Sequence, residues 1–147
     1  MSQVGNDDEA VRATSMKTSH QIMSRFDMDN WFPLLHDDLV LEFPYAHSVQ
    51  MPGRVVGKTA AVEYLGGVMK HFTGLTFHDV VISPMADPST VIVEYAGGCK
   101  LSTGKTYKQV YITVQKFKDG KMVLFREFWN PMEVVESFGA DLHTAFG

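Results

Sequence analysis

The chain has 147 residues, 45% of them hydrophobic and 20% charged, which is enough apolar material for one globular domain, read as residues 1–147, with its own core. Its formal charge is −4, with no basic run to neutralise a phosphate backbone, so nucleic acid is not an expected partner. Cys99 is the single cysteine and no Cys/His spacing matches a zinc site, while no apolar run approaches membrane-spanning length, so neither a metal nor a membrane is expected.

The opening segment "MSQVGNDDEAV" is polar and acidic rather than basic and then apolar, which predicts a soluble, cytoplasmic protein. Phosphate cradles, dinucleotide fingerprints and serine elbows are missing; "LSTGK" at 101–105 lacks the first glycine of a phosphate loop. The spacing predicts a helix over 7–27 with Val11, Ile22, Met23 and Phe26 inward, and a second short one over 29–38 with Pro33 in its first turn. The Asp37-Asp38 pair would mark the end of that second helix, with His36 beside it. "LVLEFPYA", 39–46, reads as an edge strand or strand end, because Pro44 cannot donate to a ladder, and the loop "HSVQMPGRVVG" follows.

Residues 58–72 put Ala61, Tyr64, Leu65, Val68 and Phe72 on one helical face. Gly66 and Gly67 each cost that helix roughly 1 kcal/mol of propensity, which predicts something packed closely against its backbone. From residue 75 the period becomes two, giving strands at 75–83, 90–101, 105–117 and 121–130, before a last short helix, "PMEVVESFG". Helices followed by a long meander predict an α+β domain, a curved and mostly antiparallel sheet wrapped around three or four helices.

The stretch "FREFWNP", 125–131, places one carboxylate among aromatics. Reading Asp119-Gly120 as a two-residue hairpin pairs Lys118 with Lys121, and hence Val114 with Phe125 and Ile112 with Glu127. One face then carries Val110, Ile112, Val114, Val123, Phe125, Glu127 and Trp129, joined across the Thr103-Gly104 turn by Val91, Val93 and Tyr95; a bulge at the hairpin would reverse the assignment. This is the apolar face, so Glu127 points inward, either as a structural carboxylate or as an acid/base group. The opposite face carries Gln109, Tyr111, Thr113, Gln115, Leu124, Arg126 and Phe128, and its apolar members predict a homodimer through the outer sheet surface.

Three stretches, "LLHDDLVLEFPYA", "MPGRVVGKTAAVEYL" and "YKQVYITVQKFKDGKMVLFREFWNP", resemble the SnoaL-like members of the nuclear transport factor 2-like superfamily, whose cone-shaped fold also contains ketosteroid isomerase. The resemblance implies a cone with an internal cavity between the helices and the concave sheet face. Activities within this fold differ widely. Phe43 stands where ketosteroid isomerase has its aspartate base, and the late aspartate of the SnoaL polyketide cyclases is absent near Trp129. Glu127 falls on an acid/base glutamate of the phenazine-biosynthesis A/B proteins, whose partner histidine and serine correspond to Tyr64 and Val68. The Asp-Arg-Asp set of epoxide hydrolases with this fold is not evident, as Arg126 points outward in this register.

The candidate site is therefore Glu127 as the catalytic acid/base, with Phe43, Tyr45, Tyr64, Val68, Tyr95, Phe125 and Trp129 as substrate contacts. The expected partner is a small hydrophobic carbonyl metabolite, of polyketide or steroid type, to be isomerised, cyclised or dehydrated without a cofactor. A non-catalytic binding or accessory protein of the same fold is the alternative. His47, His71, His78 and His143 are expected at the surface or in loops.

Overall fold

A computed structural model of the chain describes residues 2–139. Among these, four α-helices pack on a six-stranded sheet: α1 Ser2–Ser24, α2 Met28–Trp31, β1 Leu35–Glu42, β2 Arg54–Val56, α3 Lys58–His71, β3 Thr76–Pro84, β4 Thr90–Lys100, β5 Thr106–Lys118, β6 Lys121–Trp129 and α4 Pro131–Phe138. The sheet order is β2-β1-β6-β5-β4-β3; only the β1–β6 pair is parallel. This is the expected α+β architecture, with a curved, unclosed sheet around the helices. No described helix is long and apolar enough to cross a membrane.

The inward side of α1 is more polar than its sequence pattern suggests. Ile22 and Met23 are buried, but Val11 is exposed, and Ser15, Thr18 and Ser19 take the inner positions. Each hydroxyl has an acceptor: Ser15 shares its hydrogen between the Val11 carbonyl at 2.9 Å and the Pro88 carbonyl at 3.0 Å, Thr18 donates to the Gly120 carbonyl at 3.3 Å and Ser19 to Gln115 Oε1 at 2.7 Å. Buried hydroxyls with partners avoid the desolvation cost of unpaired ones.

The second helix is one turn, not the ten-residue element expected over 29–38. Asp27 caps it, accepting the Asn30 N–H at 2.8 Å, and Pro33 lies in a single 3-10 turn, Phe32–Leu34. The chain then enters β1 at Leu35, so His36, Asp37 and Asp38 are strand residues, and Leu35, Leu39 and Leu41 are its buried positions. Part of the expected 47–57 loop is ordered as β2, which pairs antiparallel with β1.

The strand register corrects the sequence reading where it matters. Asp119 and Gly120 both have positive φ, 54° and 74°, and the hairpin does pair Lys118 with Lys121. A bulge then intervenes beside Lys116/Phe117, so Glu127 faces Thr113, not Ile112, and Phe125 faces Gln115, not Val114. The β4–β5 turn is likewise longer than two residues; Val93 pairs with Thr113 and Tyr95 with Tyr111. The inner face of β5 consequently carries Gln109, Tyr111, Thr113 and Gln115, all buried, while Val110 and Ile112 stand outside at 70% and 41% exposure.

These inward polar groups are paired. Gln109 holds the β6–α4 junction: its Oε1 accepts the Asn130 N–H and its Nε2 donates to the Asn130 carbonyl, each at 2.9 Å. Among the described residues no buried side-chain nitrogen or oxygen lacks a partner. A Cβ on Gly97 in β4 would stand 3.0 Å from the Tyr111 ring and 3.3 Å from Leu75. Glycine is what lets that ring lie against the strand. Gly66 and Gly67 are different: nothing lies within 4 Å of a Cβ at either, so the close packing expected against α3 is not present.

Candidate active site

Between α3 and the concave sheet face lies an apolar cavity of about 70 Å³. Phe43 from the end of β1, Tyr64 and Val68 from α3, and Phe125, Glu127 and Trp129 from β6 all line it. Alternation along β6 brings the last three to one wall, and the spacing of four between Tyr64 and Val68 brings both to the facing side of α3. Tyr95 stands behind this wall, 3% exposed, and reaches the cavity through Glu127.

Tyr45 departs from the sequence reading. It is 50% exposed and lies on the outer sheet surface, edge-on to Phe128 with ring centroids 5.6 Å apart. It follows Pro44 after β1 has ended, where strand alternation no longer governs direction. The sequence reading also passed over several lining residues: Phe26, Met51, Phe77, Tyr107, Tyr111 and Val134. Tyr107 and Tyr111 share the parity of Gln109, so correct register would have found them; Met51 lies in a loop with no periodic signal.

Glu127 Oε2 accepts a hydrogen bond from the Tyr95 hydroxyl at 2.5 Å. Tyr95 Oη lies 2.6 Å from Thr113 Oγ1. Among the described residues no cation contacts the carboxylate: neighbouring Arg126 turns to the other face, where its Nε donates to Glu42 Oε2 at 2.7 Å. Burial disfavours the charged form and pushes Glu127 up to about 7, opposed by the Tyr95 hydrogen bond. The surface Glu127 still exposes is directed at the cavity, so its partial exposure and its desolvation are compatible.

The neighbouring phenols are held neutral. Tyr64 and Tyr107 are each pushed up to about 12, mainly by burial, with the nearby Glu127 charge adding to the effect. Tyr95 and Tyr111 are raised well above the usual tyrosine value for the same reason. The arrangement is thus one proton-exchanging carboxyl at neutral pH among aromatic rings and neutral hydroxyl donors.

The described histidines do not line the cavity. His47, His71 and His78 are exposed, and His36 Nδ1 accepts the Asp38 N–H at 3.0 Å within β1; His143 lies outside the described residues. No group of three or more His, Cys, Asp or Glu side chains that could hold a metal occurs among the described residues.

Comparison with known proteins agrees with this architecture. The model of the SnoaL-like domain matches residues 17–125. The uncharacterised protein YesE of Bacillus subtilis is 38% identical over 114 residues, 77% of each chain. The uncharacterised PhzA/B-like protein PA3332 of Pseudomonas aeruginosa is 34% identical over 125 residues, covering 82% of this chain and 85% of that one. A solved Bacillus subtilis structure, provisionally assigned as an isomerase, superposes with a TM-score of 0.74 at 33% identity over 90% of this chain and 95% of that one. From the residues matched and the fold they share, the chain belongs to the SnoaL-like domain family.

Proposed function

We propose that this protein is a cofactor-independent acid/base enzyme acting on a small hydrophobic carbonyl compound, with Glu127 moving the proton. The observation that carries this reading is a single carboxyl on an otherwise apolar wall, with no cation among the described residues paired to it and a midpoint pushed up to about 7. An ionised fraction of Glu127 takes a proton from the carbon beside the carbonyl; the C–H electron pair passes into an enolate, whose oxygen a neutral tyrosine hydroxyl stabilises. Return of the proton to another carbon gives isomerisation, and attack of the enolate carbon on a second carbonyl, whose oxygen takes up the proton held by Glu127, gives aldol-type ring closure. The phenazine and polyketide-cyclase assignments of relatives and structural neighbours support small-molecule metabolism of this kind.

The free volume sets a condition. About 70 Å³ is less than half of the roughly 150 Å³ cavity that takes up benzene. A polyketide- or steroid-sized metabolite therefore requires displacement of lining side chains such as the half-buried Met51, Tyr64 and Trp129.

Kinetics of Glu127→Gln on enolisable ketones, including cyclic β,γ-unsaturated ketones and 1,3-diketones, test this reading. Loss of a general base lowers the rate by about 10²–10⁴-fold with affinity retained. A second reading, a binding protein without turnover, draws on Tyr64 and Val68 standing where the phenazine proteins resembled have histidine and serine. It predicts that Glu127→Gln changes affinity alone.

A further inference from the structure

We propose that Tyr95 is the positioning residue of this site: backed by Thr113, it ties down Oε2 of Glu127 and leaves Oε1 as the atom that exchanges a proton with substrate. This assignment rests on the acid/base reading of Glu127 and goes beyond it by naming the acting oxygen and the group that selects it.

Hydrogen-bond counting fixes the order of the chain. A phenol has one hydrogen to donate, and Tyr95 gives it to Glu127 Oε2 at 2.5 Å. At 2.6 Å from the same phenolic oxygen, the Thr113 hydroxyl must then be the donor, so the chain runs Thr113 to Tyr95 to Glu127. Among the described residues Oε1 accepts no hydrogen bond, yet no buried side-chain oxygen is left without a partner. Oε1 is therefore not sealed in the protein; it opens on the cavity that Glu127 lines.

The anchor itself is rigid. The Tyr95 ring stacks on Tyr111 with centroids 4.7 Å apart and 13° between planes, and meets Phe77 edge-on at 4.9 Å. Thr113 is fully buried between the β4 and β6 strands that carry the other two members. When Glu127 takes a proton on Oε1, the substrate C–H bond breaks, the Oε1–H bond forms, and the Tyr95 hydrogen bond to Oε2 persists. The other ionisable groups whose charge couples to Glu127 are Tyr64 from α3 and Tyr107 and Tyr111 from β5. All are neutral phenols at working pH, and among the described residues no charged side chain shifts Glu127.

The test needs no substrate. The Glu127 carboxyl carbon is followed by ¹³C NMR across pH in the native chain, in Tyr95→Phe and in Thr113→Val. Tyr95→Phe keeps the ring and removes the donor, so the Glu127 midpoint should rise by about one to two pH units, the worth of a hydrogen bond to a charged group. Thr113→Val should raise it by less and in the same direction, because the phenol loses the donor that polarises it. An unmoved midpoint in folded Tyr95→Phe would overturn the proposal and reduce Tyr95 to a packing residue. Should Tyr95→Phe fail to fold, an unmoved midpoint in Thr113→Val overturns it equally. Failure here leaves the acid/base reading standing, whereas undiminished turnover in Glu127→Gln removes that reading and leaves this hydrogen-bond order intact.

Discussion

Tyr95 and Glu127 are joined at 2.5 Å across two strands that are not neighbours: β4 and β6 are separated by β5, and Thr113 on β5 completes the link. The carboxylate is thus fixed by a row of side chains running across the concave sheet rather than by an ion pair. Its stability consequences follow from its raised midpoint.

Unfolded, Glu127 would ionise near its ordinary value of 4.5, whereas in the fold it ionises at about 7. Between these pH values the native state binds more protons than the unfolded one, so stability falls as pH rises through this window. Glu127→Gln removes the burial of a charge. It should be more stable than the native chain at pH 8 by up to about 3 kcal/mol, with little difference at pH 4. Denaturant unfolding at the two pH values checks this; equal stability at pH 8 would show that the carboxylate is not desolvated.

Gly97→Ala should damage the site through Tyr111, a ring that lines the cavity. A methyl there would press on Tyr111 at 3.0 Å, and Tyr111 is the ring on which Tyr95 stacks. Overpacking of this kind costs about 1–3 kcal/mol. Thermal unfolding should show the loss, and near-ultraviolet circular dichroism should show altered tyrosine packing; an unchanged spectrum would mean that the stack tolerates the methyl.

Gly66→Ala and Gly67→Ala should do the opposite. Both sites are helical with open space around a Cβ, so each change should stabilise α3 by up to about 1 kcal/mol. A loss of stability in either variant would contradict the open space around these two positions.

The outer sheet face carries Val110, Ile112, Tyr45 and Phe128, three of them 40% exposed or more, beside the Glu42–Arg126 pair. We propose that a second copy of the chain covers this strip. Sedimentation should find a dimer at micromolar concentration, and Val110→Glu should dissociate it while leaving the fold intact; a monomeric native protein would contradict the proposal. This face differs from the one the sequence suggested, since Tyr111 lies within the cavity and Val110 and Ile112 lie outside.

How far the sequence could be read is clearest in β5 and β6. The order of the later strands and the type I′ turn at Asp119-Gly120 were legible because they depend on local chemistry. The inward direction of Glu127 was also reached, but through two offsetting faults. Taking the apolar residues of β5 as the inner set inverts that strand, and the bulge beside Lys116/Phe117 shifts β6 by one residue against it, so the two cancel at Glu127. In fact polar Gln109, Thr113 and Gln115 point inward because partners on α1, β4 and the β6–α4 junction satisfy them, which alternation of hydrophobicity cannot show. Tyr64, Val68 and Trp129 were found from helical and strand spacing, while Tyr45 was misplaced because it lies beyond the strand end.

The central claim, that Glu127 is the base, is tested most directly by hydrogen–deuterium exchange of an enolisable ketone in D₂O, followed by NMR as a function of pH. The native protein should accelerate exchange at the carbon beside the carbonyl, with a rate that rises as Glu127 ionises through about pH 7 and then levels, and Glu127→Gln should abolish the acceleration. Exchange that proceeds equally fast in Glu127→Gln, or that shows no rise near pH 7, would contradict it.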